Sequence, residues 1–440
     1  MASTQLTRSI GSTGDRQKGT FSMWIKKSKT ATEQVFYSHY QDASNFLRAR
    51  FNDTDTINVN VKLSGTDYFA NTNAVFRDVG AFYHIVWAID TTQATAADRY
   101  KVYVNGTQQT MASSNYPSQN ENLIMNISGD TQAVGAMNSS TYFDGLMSYV
   151  AWTDGYTYAA TDFGETDSSS GIWKIKTGPS VTYGTNGFFL KMDTSSPGTD
   201  TSGNNNTFTA AGTPTLTQDN ASNNFATLNP LAIQFAEQMA STANGNTTLT
   251  SKSDNNWGTL LSTIGASSGK WYCEAKLSAL GSYARPGICD MSVDQQNITS
   301  SWFLGQTSSS AQYGYNSGNG NLYTNAGDSS YGNTFTTGDI IGIAMDLDNN
   351  RLFFSKNGTW QNSGDPTSST GAVSITADKT YGFGFSGYNS TVWNVNFGSG
   401  FFGTTAVSSS NADAAGHGLM EYAVPTGYYT LNTKNLNTYG

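Results

Sequence analysis

Few residues of this 440-residue chain are spaced to do chemistry. Its six glutamates, Glu33, Glu121, Glu165, Glu237, Glu274 and Glu421, stand isolated from one another. A retaining glycosidase needs two carboxyl groups about 5–5.5 Å apart. The three histidines, His39, His84 and His417, lack the Gly-x-Ser-x-Gly elbow that would present a nucleophilic serine. His84 sits in an apolar run, so a core imidazole is its expected role. Asp346-Leu347-Asp348-Asn349-Asn350 has calcium-loop composition without the glycine and closing glutamate of an EF-hand, and reads as a hairpin turn. Cys273 and Cys289 are too few for a disulfide framework or a zinc site, and are read as buried free thiols. Binding chemistry is better represented. Aromatic rings stack on a ligand while amides and hydroxyls take its polar atoms, and Tyr283, Arg285, Trp302, Tyr313, Tyr315, Asn316 and Tyr323 offer that combination.

The elements that must carry these residues read as strands. Phe21, Met23 and Ile25 alternate with mostly polar neighbours, Trp24 being the exception. Thr56 to Leu63 alternates without a break, the pattern of a half-buried strand. Phe82 to Ile89 is nearly continuous and apolar, as expected of a strand covered on both faces. Tyr100 to Val104 runs into Asn105-Gly106, a strong hairpin signal, and a further strand is expected over Tyr142 to Val150. Ile340 to Leu347, then Arg351 to Lys356, then Asn357-Gly358 spell a β-meander. Pro230 to Ala240 alone has helical composition.

Composition agrees. Charged residues make up 12% of the chain, about half the usual share. Ser, Thr, Asn and 45 glycines replace them and suit turns and the solvent faces of strands. A net charge of −9 argues against a nucleic-acid surface. No apolar run approaches the roughly 20 residues of a membrane span, and the N-terminus has no apolar core of a secretion signal. The expected organisation is a β-sandwich over 1–193, a polar linker over 194–228, a second sandwich over 229–404, and a tail over 405–440 that docks.

Two families are resembled. Gly19–Ile25, Tyr83–Trp87, Lys101–Gly106 and Tyr142–Gly145 resemble the laminin-G-like branch of the concanavalin-A-like sandwiches. Gly269–Glu274, Gly338–Ile343, Asp346–Asp348, Leu352–Phe354 and Lys356–Gly358 resemble a SPRY domain, in family order. The fold class is therefore expected to be all-β: two antiparallel sandwich (jelly-roll) domains in tandem with little helix. The first resemblance implies a test for glycan hydrolysis, since its enzymes carry Glu-x-Asp-x-x-Glu on a strand. Glu165-Thr166-Asp167 begins that pattern, but Ser170 stands where the second glutamate belongs. The same resemblance makes Asp144 a candidate calcium ligand, with Asp42, Asp53 or Asp55 as helpers; an Asp capping a turn is the favoured reading. The second implies that partners meet loops at one end of the sandwich.

The joints, Asp200–Thr209 with Asn224–Pro230 and Tyr422–Tyr429 with Thr433–Leu436, resemble connecting segments of structural proteins of tailed bacteriophages. That resemblance implies a non-enzymatic virion protein on the particle exterior, a tail fibre or adhesin binding host-surface glycan or protein. A head-decoration protein and a polysaccharide-degrading tail enzyme are the alternatives. The implied partners are other virion proteins and further copies of the chain, as a homotrimer. No nucleic acid, membrane insertion or cofactor other than Ca2+ is expected.

Overall fold

A computed structural model describes residues 4–231, 240–292, 302–306, 311–324 and 327–440. The candidate helix at 230–240 lies almost wholly outside the described residues. The protein is all-β; among the described residues the one α-helix is Thr433–Tyr439, capped by Asn432, whose side chain accepts from the Asn435 amide. The chain divides into two compact units, residues 1–216 with 220–222, and residues 217–219 with 223–440.

The first unit is a sandwich of an eight-stranded and a six-stranded antiparallel sheet. In the larger sheet the order is Met111–Asn115, Thr66–Val75, Thr56–Leu63, Asn45–Phe51, Gln34–Asp42, Thr131–Val134, Gln5–Ser9 and Thr209–Ala211. In the smaller it is Phe188–Leu190, Gly145–Asp154, Lys18–Lys27, Tyr83–Asp90, Tyr100–Val104 and Thr107–Gln108. Alternation decides what is buried between them. Phe21, Met23 and Ile25 meet Leu47, Ile57, Val59, Val61, Ile85 and Trp87 in one core. The smaller sheet is covered on its other face too, where Val86 and Ala151 pack with Phe163, Phe189 and Trp173. This second cover explains the apolar run Ile85–Ile89 within Tyr83–Asp90. Asn105 and Gly106 both take positive φ, 48° and 81°, the requirement of the tight hairpin their identities announce.

The division between the units falls inside the stretch read as a linker, and part of that stretch is held by strand pairing and hydrogen bonds. Thr209–Ala211 adds an edge strand beside Gln5–Ser9, and the buried Asp200 carboxylate accepts from the amides of Phe189, Ser202 and Asn206. Asp and Asn side chains supply backbone-like hydrogen bonds here, so a segment poor in apolar residues is still fixed.

The second unit repeats the architecture. One sheet runs Ala240–Ala243, Thr248–Ser251, Val392–Asn396, Lys270–Ala279, Ile340–Asp346, Arg351–Lys356, Thr359–Trp360. The facing sheet runs Trp257–Leu261, Tyr381–Tyr388, Tyr283–Asp290, Gln312–Tyr315, Asn321–Thr324, Gly327–Ser330. Trp271, Ile341, Ile343, Phe354, Phe383, Phe385 and Trp393 fill the space between. The tail docks on this unit: Tyr429–Thr430 pairs in parallel with Trp271 and Tyr272, and Met420, Tyr428 and Leu431 are buried. Glu274 fixes the approach, its carboxylate accepting from the amides of Glu421 (2.8 Å) and Tyr422 (2.9 Å) and from the Tyr272 hydroxyl (3.0 Å).

Candidate functional site

At one rim of the second unit three strand ends bring aromatic residues together. Trp257 opens its strand opposite Tyr388, and Tyr388 in turn stands opposite Tyr283. Their rings touch, Trp257 and Tyr283 stacking at 6.2 Å and Trp257 and Tyr388 meeting at 5.3 Å. The turn Asn316–Asn319 closes another side. Asn316 shapes it by accepting from the Gly318 amide, and Gly318 lies so close under the Tyr283 ring that a Cβ there would stand 3.1 Å from it. Tyr323, from the next strand, completes a pocket of roughly 530 Å³ lined by Trp257, Tyr283, Arg285, Asn316, Tyr323 and Tyr388. Tyr283 is 47% exposed.

Arg285 is the charged member. Its guanidinium carbon lies 3.8 Å from the ring centres of Phe303 and Tyr323 and 4.7 Å from Trp257. Only 6% of the residue is exposed, and among the described residues its Nε and one Nη have no hydrogen-bond partner. Burial draws its pKa down to about 10, opposed by the fields of Tyr323, Asp328 and Tyr283, so it stays charged at neutral pH.

Of the seven residues proposed from sequence, Tyr283, Arg285, Asn316 and Tyr323 meet in this pocket. The other three are turned inward. Trp302 is 2% exposed and donates to Gln312, packed with Leu261, Cys289 and Leu304. Tyr313 bonds Thr376, and Tyr315 is fully buried with its hydroxyl on the Asn333 carbonyl. Tyr313 and Tyr315 lie on the strand Gln312–Tyr315 and belong to the core. Trp257 and Tyr388 were missed, because only the register across three strands joins them to Tyr283.

The other candidates have structural partners. Asp144 is ion-paired with Lys29 at 2.7 Å, and among the described residues no three or more His, Cys, Asp or Glu side chains gather as a metal site. Asp346 accepts from Asn349 and pairs with Lys270 (3.2 Å) in a hairpin turn. Asp167 accepts from the Ser169 hydroxyl and the Ser170 amide, which hold its carboxyl well below the usual range, with Lys174 adding to them. It shapes a turn. His84 accepts from the Trp173 indole at Nδ1 (3.1 Å), so its Nε2 carries the proton and donates to Ser22 (2.9 Å). Burial lowers its pKa to about 3. Cys273 and Cys289 are free and buried, and burial raises both thiols.

Comparison with known proteins matches residues 3–160 to the concanavalin A-like lectin/glucanases superfamily and residues 270–372 to the SPRY domain family. Ran-binding protein 9 of Danio rerio is 35% identical over 96 residues, 22% of this chain and 15% of that protein. The human Ran-binding protein 9 is 35% identical over the same length, 12% of its own. The chain thus spans about 15% of the length of the curated relatives it matches first. The SPRY domain of human HERC1 aligns with 38% of this chain and 96% of that one, at 20% identity and a TM-score of 0.30.

These relatives correct the expectation of a virion protein. They are animal proteins named for binding Ran, which points away from a tail fibre, from virion partners and an appendage trimer, and from a place on a phage particle. The head-decoration and tail-enzyme alternatives gain nothing from them. Asp200–Thr209, one of the joints that suggested a phage, is rich in Ser, Thr, Asn and Gly because turns need such residues, whatever particle or cell contains them. The chain carries a concanavalin-A-like domain followed by a SPRY domain.

Proposed function

We propose that this chain is a non-enzymatic binding protein whose SPRY domain takes a segment of a partner protein into the rim pocket. The observation that carries the reading is the exposed Tyr283 ring, held by Gly318 and Trp257 at the edge of a pocket walled by aromatic and amide side chains. Rigid aromatic rings with nearby amides are the composition of protein-recognition hot spots. The relatives' names add a candidate, Ran, for the partner. The first domain contributes its own stable sandwich and needs no catalytic role.

The test is selection from a randomised peptide library on the full chain and on Tyr283→Ala, with direct titration of Ran beside it. A sequence motif enriched on the parent chain and lost with Tyr283→Ala supports the reading. Selection without any enriched motif, or a motif indifferent to Tyr283, refutes it, whatever Ran does. Enrichment that depends on Tyr283 without Ran binding keeps the pocket and discards that candidate.

A further inference from the structure

We infer that the rim pocket selects ligands carrying a carboxylate, which Arg285 receives. The inference rests on the binding role proposed above and adds the chemistry of what is bound. A guanidinium presents five N–H donors and no acceptor. The rings of Phe303, Tyr323 and Trp257 stabilise its charge by cation–π attraction. They offer no lone pair in the plane of the N–H bonds. Among the described residues Nε and one Nη are buried donors without acceptors, so the charge is held by the rings and not by hydrogen bonds, while Arg285 still lines the pocket wall.

Among the described residues no carboxylate fills the need. Arg285 makes no ion pair among the described residues, and Asp328, whose field reaches it, has its own Oδ2 committed to the Asn321 amide at 2.6 Å. The geometry leaves a charged, directional receptor with aromatic walls beside it. Its complement is a planar anion next to a ring or apolar group. A carboxylate meets this requirement by bringing a full charge and acceptor oxygens to the part of the guanidinium that lines the pocket. In a peptide that chemistry comes from an acidic side chain or from the C-terminus.

Three probes separate the sources on one ring: N-acetyltyrosine amide, which is neutral; N-acetyltyrosine, with a terminal carboxylate; and N-acetyltyrosyl-aspartic acid α-amide, with a side-chain carboxylate. Each is titrated into the full chain and into Arg285→Gln by ligand-observed NMR. At least one acid should bind about tenfold more tightly than the neutral amide. That preference should vanish in Arg285→Gln and shrink as salt is raised. The stronger of the two acids names the source. Equal affinity of acids and amide overturns the carboxylate inference and leaves the pocket standing. Preference retained in Arg285→Gln also overturns it. Binding of no probe to the parent chain refutes the inference and, together with a failed library selection, the pocket itself. The acid-to-amide ratio is read on the unaltered chain, so the conclusion does not depend on Arg285→Gln folding.

Discussion

Acidification should strengthen the second unit, and Glu274 sets how much. The side chain is fully buried, and burial raises its pKa from 4.5 to about 7 against the hydrogen bonds from Tyr422, Glu421 and Tyr272. Between those values the folded state holds a proton that the unfolded chain has released. Stability from this group is therefore complete below pH 4.5 and is lost as pH rises through 7. At 1.36 kcal/mol per pKa unit the full effect is about 3 kcal/mol, most of it falling between pH 5 and pH 8. Calorimetry of the full chain at pH 5, 6.5 and 8 should show the transition of the second unit moving up as pH falls. Glu274→Gln separates charge from hydrogen bonding. It removes the titration but keeps one acceptor for the donors at Glu421, Tyr422 and Tyr272. The variant should show a flatter profile, so that its stability relative to the parent rises from pH 5 to pH 8. Parallel profiles for parent and variant would refute the assignment, as would a parent less stable at pH 5 than at pH 8 in that transition.

The first unit should respond in the opposite direction: His39 and His84 are buried with pKa values lowered to about 3, so unfolding takes up protons below pH 6.5 and each histidine costs about 2 kcal/mol by pH 5. A first transition insensitive to pH between 7 and 5 would contradict this. Deleting residues after His417 removes the buried Met420, Tyr428 and Leu431 together with the strand on Trp271 and Tyr272. At about 2–5 kcal/mol for each large side chain, the second unit should lose its cooperative transition, and an unchanged melting curve would count against the docked tail. Gly281→Ala places a Cβ 1.6 Å from the Asn389 carbonyl oxygen, beside the strand end that carries Tyr283. It should cost about 2 kcal/mol and weaken any ligand of the pocket; full stability in denaturant titration would show that the turn yields freely.

The sequence alone determined the strands and their two-sandwich grouping, because alternation and turn chemistry are local. Thr56–Leu63, Tyr100–Val104 and Arg351–Lys356 stand where their patterns end, and Asn357-Gly358, like Asn105-Gly106, supplies the positive φ its hairpin requires. The domain families were legible for the same reason, each resting on short ordered runs. Only the tertiary structure decided which aromatics form a site. Tyr315 and Tyr323 are the same residue type eight positions apart, yet one is buried in the core and the other lines the pocket. Trp257, Tyr283 and Tyr388 lie far apart in the chain and meet through strand register. A period of two tells that a side chain faces one side of a sheet, not which side is covered. The order of the polar stretch around Asp200 comes from carboxylate-to-amide hydrogen bonds to Phe189, Ser202 and Asn206, whose geometry composition does not reveal. The unpartnered N–H groups of Arg285 exist only once Phe303, Tyr323 and Trp257 surround it, and that arrangement is a property of the folded rim alone.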